Sequence, residues 1–125
     1  MSSARRTKLV AVVDDDDLLR DALPRLLKAS GLGAVSFESA EDLLNFDRLP
    51  EIACLIADVR MPGMSGLELQ AKLKAERCPI PIIFITAHGD TKMRIQAMCD
   101  GAVEFLTKPF DNAVLLELVH AALRD

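Results

Sequence analysis

Five short apolar runs, each followed by a segment with helical spacing, constrain this chain more than any other feature. Residues 9–13, 52–57 and 82–85 are short, apolar and without clean polar alternation. Such runs suit strands covered on both faces, as in a central parallel sheet flanked by helices. Residues 33–37 form a weaker strand pattern, and residues 102–107 a fifth. Between them, residues 17–30 carry Leu18, Leu19, Ala22, Leu23, Leu26 and Leu27 at helical spacing and close on Gly31. Pro24 removes one hydrogen bond there and predicts a bend.

Ser39-Ala40-Glu41-Asp42 resembles a capping box that opens a helix reaching about residue 48, with Pro50 ending the region. Residues 67–76 read as a helix, after which Pro79 and Pro81 force an extended approach to the fourth strand. Residues 91–100 read as a helix stopped by Gly101. Asp111 is placed to cap a last helix over 112–124, with Val114, Leu115, Leu118, Val119 and Leu123 on its apolar stripe. Right-handed crossovers then give an α/β, doubly wound (βα)5 domain with a central five-stranded parallel sheet. One domain over residues 9–125, behind a short leader at 1–8, accounts for all 125 residues.

In an open parallel sheet the carboxyl ends of the strands share one edge, where ligands bind. Four runs end there in reactive groups: Asp14-Asp15, Asp58, Thr86 and Lys108-Pro109. Asp58 is followed at once by Val59-Arg60-Met61-Pro62-Gly63, which no regular element continues. An aspartate can attack phosphorus to form an acyl phosphate. That step needs in-line geometry and neutralised equatorial oxygens. Asp14 and Asp15 are hard oxygen ligands of the kind Mg²⁺ takes, and a cation relieves their mutual repulsion. Asp16 and Asp17 suit the cap of the first helix. Lys108 supplies a cation for a phosphoryl oxygen, and its bond to Pro109 is of the kind that can be cis. The Thr86 hydroxyl is a donor for the same group.

Composition narrows the rest. A net charge of −4 argues against nucleic-acid binding by this segment, since phosphate contacts need clustered Lys and Arg. Arg5-Arg6-Thr7-Lys8 reads as a solvated terminus. The apolar runs are far shorter than a membrane span. Cys54, Cys78 and Cys99 form no C-x-x-C pair, which suggests neither a disulfide framework nor a zinc site and fits a reducing cytoplasm. Cys54 reads as core. His88 and His120 lack metal-ligand partners at useful spacing.

Together, D-D after strand one, D-x-x-M-P-G-M-S-G after strand three, T-A-H-G-D after strand four and K-P-F after strand five resemble the receiver domain of two-component response regulators. The D-V-R-M-P and T-A-H-G-D stretches look most like the nitrogen-fixation (FixJ/NarL-like) transcriptional subgroup. The resemblance implies a flavodoxin-like sheet of order 2-1-3-4-5. It implies a phosphoprotein switch rather than an enzyme, with Asp58 as phosphoacceptor and Mg²⁺ held by Asp15, Asp58, the Arg60 carbonyl and, through water, Asp14. It makes Lys108 the phosphate lysine, Thr86 the switch hydroxyl and Phe105 the switch aromatic, both moving inward on activation.

Arg60 and His88 would tune the phosphoryl lifetime. The implied partners are a sensor histidine kinase or phosphotransfer protein, and a second copy docked through the fourth helix, fifth strand and fifth helix. Ile95, Cys99, Glu104 and Phe105 would lie on that output surface. Phe105 departs from a tyrosine in having no hydroxyl, so its switch works by packing. Asp100 stands where relatives usually have a small apolar residue.

Other readings are weaker. A phosphohydrolase of the haloacid dehalogenase type needs a second aspartate two positions after the nucleophile, where this chain has Arg60. A flavin or nucleotide binder needs a phosphate cradle after strand one, where the four aspartates repel phosphate. A degenerate receiver would lack functional positions that are all filled here. A stand-alone receiver acting by protein binding or phosphate relay remains the alternative to control of transcription.

Overall fold

A computed structural model of the protein describes residues 8–87 and 91–124. Strands β1 (Leu9–Val13), β2 (Gly33–Phe37), β3 (Ile52–Asp58), β4 (Ile82–Thr86) and β5 (Glu104–Thr107) alternate with helices α1 (Asp17–Ala29), α2 (Ala40–Leu44), α3 (Gly66–Ala75), α4 (Thr91–Cys99) and α5 (Asn112–Leu123). The strands form one parallel sheet in the order β2-β1-β3-β4-β5. The expected doubly wound architecture is therefore present.

The lack of polar alternation in the central strands has its reason in two cores. Leu9, Ala11, Val13, Leu55, Ala57, Ile82 and Phe84 face the helices α2, α3 and α4, meeting Leu43, Leu69, Leu73 and Ala97. Val10, Val12, Cys54, Ile56, Ile83 and Ile85 face α1 and α5, meeting Leu23, Leu27, Leu115 and Val119. Each fully buried aliphatic or aromatic side chain contributes about 1.5–3 kcal/mol relative to exposure. Burial also pushes the Cys54 thiol up to about 12, so it behaves as a small apolar residue.

Several boundaries differ from the sequence pattern. α2 ends at Leu44, not near residue 48: Asn45 caps it and Phe46 turns away to meet Phe37 edge-on at 5.1 Å. Pro50 instead sits in a single 3-10 turn, Leu49–Glu51, leading into β3. Ser39 does cap α2, accepting from the Asp42 amide. A reciprocal capping box occurs at α3, where Ser65 and Glu68 exchange hydrogen bonds. β5 starts at Glu104 because the Ala102 amide closes α4 on the Ala97 carbonyl and the Gly101 amide bonds Met98. Those two bonds, with Gly101 at φ +100°, make a Schellman ending.

α1 runs continuously through Pro24. Asp16 accepts from the Leu18 amide and Asp111 from the Ala113 amide, as helix caps. On α5 the buried stripe is Leu115 and Val119, whereas Val114 is exposed. Lys8, assigned by pattern to the leader, donates to the Leu123 carbonyl at the end of α5 at 2.8 Å.

Candidate functional site

β1, β3 and β4 run side by side, so Asp14, Asp58 and Thr86 arrive at one edge of the sheet. Lys108 joins them because its amide continues the ladder to the Thr86 carbonyl at 2.8 Å. The Lys108–Pro109 peptide is cis.

The side chains converge. Lys108 Nζ donates to Asp14 Oδ2 at 3.0 Å and to Asp58 Oδ2 at 2.9 Å. The other Asp58 oxygen, Oδ1, accepts the Arg60 amide at 2.9 Å, and Asp14 Oδ1 accepts the Asp16 amide at 2.9 Å. Asp14 is 0% exposed and Asp58 6%, while Asp15 stands in solvent beside them. One carboxylate oxygen from each of the three lies within 4.8 Å of the others.

Electrostatics divide this cluster. Burial raises the Asp14 carboxyl above its ordinary value, and the Asp16 amide and Lys108 offset that only in part. Burial also works to lower the Lys108 ammonium. The hydrogen bonds to Asp58 and Asp14 outweigh it, and the net shift is upward. Lys108 is thus held charged between two carboxylates.

A divalent cation fits this donor set. Three hard oxygens sit close enough to share one ion, one of them open to solvent. The penalty of an ionised, buried Asp14 is the kind that a bound cation relieves. Mg²⁺ takes one or two carboxylates and keeps several waters.

Thr86 is 1% exposed and Phe105 4% exposed. The Phe105 ring lies 6.4 Å from that of Phe84, inside the core. One expectation therefore needs correction: Phe105 is buried here and does not lie on an exposed surface. Ile95 and Cys99 are exposed on α4 and Glu104 is partly so on β5. The Arg60 side chain leaves the cluster for α4, with Nη2 3.5 Å from Met93 Sδ. The role assigned to His88 falls outside the described residues.

Two residues not singled out by pattern shape the edge. Arg20 on α1 donates from Nη1 to the Asp14 carbonyl at 2.9 Å and also pairs with Asp17. Gly66 leaves no room for a side chain, since a Cβ would sit 2.5 Å from the Asp58 carbonyl oxygen. The second glycine of P-G-M-S-G carried that signal; Arg20 carried none, its partner being a backbone atom.

Residues 10–120 match the family of the response regulator receiver domain, and the chain belongs to that family. The transcriptional regulatory protein FixJ of Bradyrhizobium diazoefficiens is 42% identical over 117 residues, covering 92% of this chain and 56% of FixJ. Nodulation protein W of the same organism is 45% identical over 122 residues, covering 97% of this chain and 53% of that protein. Among solved structures, the response regulator StyR superposes with a TM-score of 0.87 at 47% identity, over 94% of this chain and 60% of StyR. The chain spans about half the length of the curated relatives it matches. Receiver domains are signalling domains of two-component systems rather than enzymes in the ordinary sense. No helix among the described residues is long and apolar enough to cross a membrane.

Proposed function

We propose that Asp58 accepts a phosphoryl group from the phosphohistidine of a sensor histidine kinase or phosphotransfer protein. The observation that carries this reading is the Lys108 ammonium bridging Asp14 and Asp58 at 3.0 and 2.9 Å, beside three clustered carboxylates. A carboxylate oxygen of Asp58 attacks phosphorus as the bond to the donor nitrogen breaks, and the imidazole leaves with that electron pair. Asp15, Asp58 and the Arg60 carbonyl would hold Mg²⁺, with Asp14 acting mainly through water. When bound there, the ion would supply positive charge to offset that on the phosphoryl oxygens.

The Arg60 amide orients the attacking carboxylate. Lys108 already lies 2.9 Å from it and is positioned to follow a phosphoryl oxygen. The buried Thr86 hydroxyl donates to the same group, and Thr86 and Phe105 move inward together on phosphorylation, Phe105 from a position packed near Phe84. Substitutions at Arg60 and His88 are expected to alter the phosphoryl lifetime.

Phosphorylation shifts a population between two arrangements of the face made by α4, β5 and α5. Its output is control of transcription, by analogy with the relatives' names, in a cytoplasmic protein whose receiver unit is residues 9–125 behind a leader at 1–8. Asp58→Asn tests the assignment. The amide is nearly isosteric but cannot attack, so incubation with acetyl phosphate and Mg²⁺ should add one phosphoryl mass to the parent and none to the variant. Equal incorporation in both, or full incorporation in excess chelator, would contradict the reading.

A further inference from the structure

The loop between β3 and α3 is short, and both of its ends are fixed. The Arg60 amide bonds Asp58 Oδ1 at 2.9 Å, and the Gly66 amide bonds the Val59 carbonyl at 2.8 Å. The tip of the loop meets a residue from a different element. Glu41, in the first turn of α2, accepts the Met64 amide on Oε2 at 3.2 Å. Beside it, Gly63 adopts φ +77°, and a Cβ there would stand 3.1 Å from the same oxygen. The close approach and the left-handed backbone both suit glycine at this point.

We propose that Glu41 is a positioning residue for the phosphoryl-transfer site, acting through the loop tip on the Arg60 peptide. This rests on the reading in which the Arg60 carbonyl is a ligand of Mg²⁺. That ion demands near-octahedral geometry, so a carbonyl held in place binds it better than one that must be ordered. Arg60 contributes both that carbonyl and the amide that orients Asp58. Glu41 is not one of the clustered carboxylates; it restrains the chain four residues beyond Arg60. Glu41 is solvent-exposed, so the effect is that of one modest hydrogen bond, about two- to tenfold in affinity.

Glu41→Ala and Glu41→Gln separate positioning from charge, because the glutamine oxygen still accepts the Met64 amide while the charge is gone. In Glu41→Ala the Met64 amide should exchange faster, and calorimetric Mg²⁺ affinity should fall about two- to tenfold. Its phosphorylation by acetyl phosphate should slow at low Mg²⁺ and return to the parent rate at saturating Mg²⁺. Glu41→Gln should stay near the parent in all three measurements. Gly63→Ala, which crowds the same oxygen, should shift Mg²⁺ affinity in the direction of Glu41→Ala. Parent-like Mg²⁺ affinity in Glu41→Ala despite loss of Met64 protection would overturn the proposal, as would a Glu41→Gln defect as large as that of Glu41→Ala. A parent protein that neither binds Mg²⁺ nor accepts phosphate would overturn instead the site reading beneath it.

Discussion

Burial raises the Asp14 carboxyl above its ordinary value of 3.8, although the Asp16 amide and Lys108 both donate to it. Within the window that opens at 3.8 and extends up through the raised value, the folded protein binds more protons than the unfolded chain at this group. Metal-free stability at this site therefore falls as pH rises through the window. Asp14→Asn removes that dependence. Thermal melts in chelator should show the variant above the parent at neutral pH, and the gap closing as pH falls toward 3.8. Added Mg²⁺ should stabilise the parent more than the variant. A gap that does not change with pH would mean that Asp14 ionises at no cost in the fold.

Asp14, Asp58, Thr86 and Lys108 were legible because each ends a strand pattern, and strand ends share one edge. The inward packing of Phe105 was not, since period-two alternation assigns a face but not how far a ring penetrates between neighbouring helices.

Among the elements, the central strands were readable because burial on both faces writes itself as uninterrupted apolar sequence. Element boundaries were harder, since they depend on packing and capping bonds that the spacing of apolar residues does not display. α2 stops early because Phe46 packs on Phe37, nine residues back on β2. β5 starts late because Ala102 is spent closing α4. The Ser65–Glu68 capping box is a local signature and was available in the sequence. It fixes the start of α3 one residue beyond the loop held by Glu41. Ser65→Ala should cost about 1 kcal/mol, the usual penalty for a lost N-cap. Urea denaturation should show a lower midpoint with an unchanged slope. A midpoint equal to the parent's would mean that packing of Leu69 and Leu73 alone holds the helix.

For the whole molecule, one sheet separates two cores and gathers Asp14, Asp58, Thr86 and Lys108 at one edge, and under the proposed function a change at Asp58 would reach a surface through β4, β5 and α4. Arg94 of α4 grips the Phe105 carbonyl at 3.2 Å and lies 3.5 Å from the Glu104 carboxylate, coupling that helix to the strand bearing Phe105. Ile95 is 56% exposed on the same helix, an apolar side chain open to solvent. Beryllofluoride, a phosphoryl mimic, should therefore favour a symmetric dimer through α4, β5 and α5, closed because the patch pairs with itself. Sedimentation should show the dimer with the mimic and Mg²⁺, and Ile95→Glu should abolish it. A monomer in both states at high concentration would mean that this face binds a different protein.

The proposed function requires one bond, between phosphorus and a carboxylate oxygen of Asp58. Borohydride reduces an aspartyl phosphate to homoserine and leaves free aspartate alone. The parent protein, phosphorylated with acetyl phosphate and Mg²⁺, then reduced and mapped by peptide mass, should carry homoserine at position 58 and keep aspartate at Asp14 and Asp15. Homoserine at either of those positions, or phosphate incorporation with aspartate intact at position 58, would contradict it.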